Sequence, residues 1–143
     1  VLDEGRHGAF VDAWLGRSAQ KLPPELLLQL LEAAFGALWD RTRTTLGEVT
    51  LTAIAERVLY NASEKFPFLS SVEVDPTTGI QCSELRERID SMSSPELIDG
   101  LRFILVELLT VLGNLTAEIL TPELHSELSH VALPGTKRRG KGP

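Results

Sequence analysis

The sequence predicts a mainly α-helical fold, at the margin of the α+β class: a multi-helix bundle carrying one β-hairpin near residues 71–82. Three observations predict it. Apolar residues recur at steps of three and four through most of the chain. Three segments open with proline followed by glutamate, at Pro24-Glu25, Pro95-Glu96 and Pro122-Glu123. Between the third and fourth helical stretches the period drops to two, on either side of Asp75-Pro76-Thr77-Thr78-Gly79.

The first helix is expected over about 4–18, from the spacing of Ala9, Phe10, Val11, Trp14 and Leu15 with Asp3 available as an N-cap. Pro23-Pro24-Glu25 opens the second: prolines suit first-turn positions, whose N–H groups have no helical partner, and an acid there faces the positive end of the helix dipole. Its apolar set runs from Leu26 to Trp39. Arg41 and Arg43 suit its far end, and Gly47 marks the break. A third helix over about 48–64 repeats Leu51, Ile54, Ala55, Val58, Leu59 and Ala62, and Phe66-Pro67-Phe68 stops it.

Val72 and Val74 then alternate with polar neighbours, as do Ile80 and Cys82. Asp at the first turn position, Pro at the second and Gly at the end predict a type I turn closed by a glycine with positive φ, hence a hairpin. Two strands alone are marginal, so the hairpin must lie on the helices or pair with another edge. Ser83 is expected to cap a short helix to about Ile89. Ser94-Pro95-Glu96 launches the longest, over about 95–120, and Thr121-Pro122-Glu123 a final one to about Val131. No repeat of solenoid length is visible. Residues 1–133 are read as one domain and 134–143 as a basic flexible tail or linker.

Composition narrows the function classes. Hydrophobic residues at 43% and charged ones at 24% are ordinary for a globular chain of 143 residues, which can bury a core without a metal or disulfides. Cys82 is the single cysteine, so no internal disulfide can form, and a reducing, cytoplasmic setting is expected. The opening residues lack the layout of a secretory signal, and Val1 reads as a processed or truncated end. The apolar run Leu101–Leu120 contains Arg102, Glu107, Asn114 and Glu118. A charged side chain costs about 2.5–3.5 kcal/mol at a bilayer centre, so a buried helix is favoured over a membrane span. The net charge is −6, but Lys137, Arg138, Arg139 and Lys141 hold four of the fourteen basic residues. Residues 1–136 therefore carry ten basic against twenty acidic groups, which disfavours nucleic acid as a ligand. The tail could at most touch an anionic membrane weakly.

No Gly-x-Ser-x-Gly elbow, phosphate-binding loop or dinucleotide fingerprint is present, so no catalytic residue is assigned and the chain is expected not to be an enzyme. Cys82 is read as a small buried residue. Glu4/His7 and Glu127/His130 have the Glu-x-x-His spacing of di-iron bundles, but both lie near chain ends, and neither a metal nor a cofactor is assigned. The predicted long helix is apolar over more of its circumference than one stripe, interrupted by Glu107, Thr110, Asn114 and Glu118, which are read as a solvated face. Such a helix must be surrounded, by its own bundle or by a second copy.

The leading expectation is a non-catalytic regulatory or scaffolding module of an intracellular signalling protein, dimerising or docking a protein partner. Phe103, Leu108, Leu112, Leu115 and Ile119 are the candidate interface, with Val72 and Val74 as an edge-pairing alternative. A second expectation is a sensor holding a small apolar ligand near Trp14, Trp39 and Phe103, and a third is phosphotransfer through His125 or His130.

Overall fold

Proline and glycine punctuation cuts the chain into six helices and a hairpin among the described residues, which in the computed structural model are 2–131. In order these are α1 (Leu2–Ser18), α2 (Pro24–Leu46), α3 (Glu48–Lys65), a 3-10 turn (Pro67–Ser71), β1 (Glu73–Asp75) and β2 (Gly79–Gln81). There follow α4 (Ser83–Glu87), a second 3-10 turn (Ile89–Ser91), α5 (Ser94–Leu115) and α6 (Thr121–Ser129). The predicted tail, 134–143, lies outside the described residues.

Helix α5 is the centre of the bundle. It packs against α1, α2, α3 and α6, and buries Leu97, Leu101, Ile104, Leu105, Leu108, Leu109 and Leu112. Each such side chain removed from water is worth roughly 1.5–3 kcal/mol, which is what holds so apolar a helix inside its own fold. From α1 the buried stripe is His7, Val11, Trp14, Leu15 and Ser18, at helical spacing, whereas Ala9 is exposed. From α2 it is Leu27 to Trp39, and from α3 Leu51, Ala55, Val58, Leu59 and Ala62.

Helix starts follow the expected chemistry with one-residue shifts. Pro24 is the first residue of α2. The cap of α5 is Ser93, whose hydroxyl accepts from the Glu96 N–H at 3.3 Å, while Ser94 donates to the Leu22 carbonyl. Ser83 and Thr121 are first helical residues, not caps: their hydroxyls donate to Gln81 and to Glu118. Asp3 likewise falls inside α1.

The hairpin forms as the turn chemistry requires. Asp75 Oδ1 accepts from the N–H groups of Thr77 and Thr78, at 2.8 and 3.2 Å, and Gly79 takes φ +101°. The strands pair antiparallel with Val74 opposite Ile80, and β2 lies on α2, where the Trp39 indole N–H donates to the Pro76 carbonyl at 3.3 Å.

The long helix ends five residues before its expected limit of 120. The Glu118 N–H donates to the Gly113 carbonyl at 2.7 Å, and the Ala117 N–H to the Asn114 carbonyl at 3.2 Å, the two bonds of a Schellman cap. Ala117 and Glu118 both adopt left-handed conformations, φ +53° and +63°. Glycine normally occupies such a site, and its absence is why the sequence pattern runs on. No helix among the described residues is long and apolar enough to cross a membrane.

Candidate functional site

The early cap swings Glu118 off the helix and back over it. Its carboxylate accepts from the Thr121 hydroxyl, lies 3.4 Å from the Arg6 guanidinium, and faces His7 Nε2 at 3.5 Å. His7, on the buried stripe of α1, is wholly enclosed. On its other side His7 Nδ1 stands 2.9 Å from Nε2 of His125, which α6 supplies from 118 residues away. The two rings meet edge to face at 81°, and Phe10 stacks on His125 at 4.1 Å between centroids. Glu118, His7 and His125 thus lie in line from the α5–α6 turn across α1 toward the surface, with a hydrogen bond between the two rings and a looser approach of Glu118 to His7 Nε2.

Burial lowers the pKa of His125, and the nearby His7 and Arg6 act in the same direction, with Glu118 opposing. The imidazole is therefore held neutral. Nδ1 of His125 makes no hydrogen bond to the described residues, and its ring is partly exposed. His130 is exposed at the end of α6, and among the described residues only its backbone is hydrogen-bonded.

The sequence marks His125 as a candidate, and names His7 and Glu118 only in other patterns, without joining the three. The burial of His7 could have been found: it continues the α1 stripe through Val11 and Trp14 at steps of four and three. The approach of Glu118 to His7 could not, because it depends on the helix ending at Leu115.

The expected interface residues divide. Leu108 and Leu112 are buried within the fold at 1% and 0% exposure, so neither reaches a partner in this conformation. Phe103 is half-buried, against Phe66 and beneath the Lys65 ammonium. Leu115 and Ile119 are exposed at 56% and 76%, on either side of the left-handed pair. The supposed solvated stripe is not one face. Glu107 is half-buried and accepts from Asn61 at 3.1 Å, the Thr110 hydroxyl is buried without a partner, Asn114 is exposed, and Glu118 has left the helix.

Val72 is buried and Val74 half-buried, and both line an open groove of about 420 Å³ between α3 and β1. Leu59, Leu69 and Val72 make its apolar floor, while Glu56, Glu73 and the 61% exposed Tyr60 stand at its rim. β1 is paired on one side, by β2.

Trp14 and Trp39 do not line a ligand chamber with Phe103. Both indoles are fully packed, and their N–H groups donate to the backbone carbonyls of Val131 and Pro76. Cys82 is a free, buried thiol pushed up to about 12, chiefly by burial and next by the Glu32 carboxylate, so it is an inert one. Among the described residues no group of three or more His, Cys, Asp or Glu side chains could hold a metal ion. Comparison with protein families, with curated proteins and with solved structures finds no match for this chain.

Proposed function

We propose that this chain is a non-catalytic regulatory or scaffolding module of a cytoplasmic signalling protein, and that it captures an extended segment of a protein partner in the groove between α3 and β1. The observation that carries this reading is the groove itself: an apolar floor beside a strand edge. Strand addition there supplies backbone hydrogen bonds as affinity, and Leu59, Leu69 and Val72 supply the side-chain pockets. Glu56 and Glu73 on the rim favour a segment with basic residues among its apolar ones, and an exposed tyrosine is the kind of residue that dominates binding energy. The buried reduced Cys82 supports a reducing compartment, and the acidic body argues against nucleic acid.

The test is selection of peptides from a random display library, followed by fluorescence anisotropy of the winners. Tyr60→Ala should weaken them by about 2 kcal/mol, roughly thirtyfold, and Glu73→Lys should weaken the basic ones selectively. Winners that bind both variants as they bind the parent would remove the reading.

A second reading is self-association, favoured by the exposure of Leu115 and Ile119. Light scattering decides it, since Ile119→Glu should return any dimer to monomer.

A further inference from the structure

We propose that His125 is a phosphoryl-acceptor histidine whose nucleophilic atom is Nδ1, primed by His7, which takes up its ring proton, and by Glu118, which fixes the His7 tautomer and faces the charge that results. This site lies apart from the groove, and three of its side chains fix one proton pattern. An ionised carboxylate can only accept, so Glu118, facing His7 Nε2 at 3.5 Å, favours a proton on that nitrogen. His7 Nδ1 is then the acceptor in the 2.9 Å contact, and His125 must donate to it from Nε2. That leaves the lone pair of His125 on Nδ1, the nitrogen without a protein partner among the described residues. Phe10, stacked flat on the ring at 4.1 Å, holds its orientation without covering its edge.

The chemistry closes on these groups. The Nδ1 lone pair attacks the phosphorus of a phosphoramidate-class donor, to which a phosphohistidine on another protein also belongs. The phosphorus–nitrogen bond of the donor breaks, and its nitrogen leaves with the electron pair and takes a proton from solvent. Nε2 of His125 passes its proton to His7 Nδ1, so the phosphorylated ring ends without positive charge. The new imidazolium of His7 lies beside Glu118, in a buried site where that attraction is weakly screened. Arg6, close enough to act on the His125 ring, adds positive charge near the incoming anion.

His130 supplies an internal control. It follows directly on the helix that carries His125, is more exposed, and its ring has no hydrogen bond to the described residues. Simple access would therefore label His130 first, and priming by His7 and Glu118 would label His125 first.

The experiment is incubation of the full chain with potassium phosphoramidate near neutral pH, read by peptide mass spectrometry and by phosphorus NMR, which separates the two phosphohistidine isomers. The expected result is acid-labile phosphate on His125 ahead of His130, at Nδ1. Incorporation at that site should fall roughly 100-fold in folded His7→Gln or Glu118→Gln protein, while His130→Gln labels like the parent. Labelling of His130 first, phosphate on Nε2, no incorporation at His125, or parental rates in a folded His7 or Glu118 variant would each overturn the proposal. Should both of these variants fail to fold, site order and isomer in the parent protein decide alone.

Discussion

Gly113 and Glu118 are locked together twice: the Glu118 N–H donates to the Gly113 carbonyl, and the Glu118 carboxylate folds back until a Cβ on Gly113 would stand 2.8 Å from Oε1. The same Cβ would meet His7 Nε2 at 3.0 Å. Gly113→Ala gains about 1 kcal/mol of helix propensity, but the carboxylate it displaces is held by Thr121 and Arg6. Overpacking costs about 1–3 kcal/mol, so net destabilisation is expected in urea unfolding. Gly16, which faces open space, is the contrast: Gly16→Ala should stabilise by about 0.5–1 kcal/mol.

Ala117 occupies the position where a Schellman cap ordinarily has glycine. A left-handed non-glycine residue costs roughly 1–2 kcal/mol, of which glycine's larger unfolded-state entropy returns part. Ala117→Gly should raise stability by about 0.5–1 kcal/mol, seen as a thermal midpoint a few degrees higher.

Stability should depend on pH through His125, which meets His7 and Arg6 from α1 and Glu118 from the α5–α6 turn. Its folded pKa is lowered, so on acidification the unfolded chain binds this proton first. The contribution is intact above the ordinary value of 6.5 and is lost as pH falls below it, through the folded pKa. Urea midpoints measured from about pH 8 to about pH 5 should fall more steeply for the parent than for His125→Gln. Equal slopes would show the ring to be insensitive to its neighbours.

Leu112 and Ile119 were expected to act alike and should behave oppositely. Leu112→Glu places a charge at a site with 0% exposure and should cost more than about 4 kcal/mol, abolishing the cooperative transition or nearly so. Ile119→Glu, at 76% exposure, should change the monomer's stability by no more than about 0.5 kcal/mol. Circular dichroism during denaturant titration separates the two.

The parts of this fold legible in the sequence are those decided within a few residues. Proline at a helix start, the Asp75–Gly79 turn and the shift from helical to alternating period each report local backbone preferences, and each falls within a residue or two of its expected place. The end of α5 was not legible, because a strained alanine stands where glycine would have signalled it. The site was half legible. His125 is visible as a helical histidine, but its meaning comes from His7, 118 residues away, and from a carboxylate positioned by that unsignalled turn. Burial of Leu108 and Leu112 follows from which helices surround α5, and periodicity does not carry that order.

The docking of α1 on α5 and α6 has a consequence for synthesis at the ribosome. Trp14 and Val11 emerge well ahead of the surfaces that enclose them, which belong to segments translated roughly 90 to 115 residues later. At about 5–20 residues per second that is a wait of roughly 5–20 seconds, during which the first helix has no native seat. The nascent chain should therefore engage a holding chaperone through α1 and release it only when α6 clears the exit tunnel.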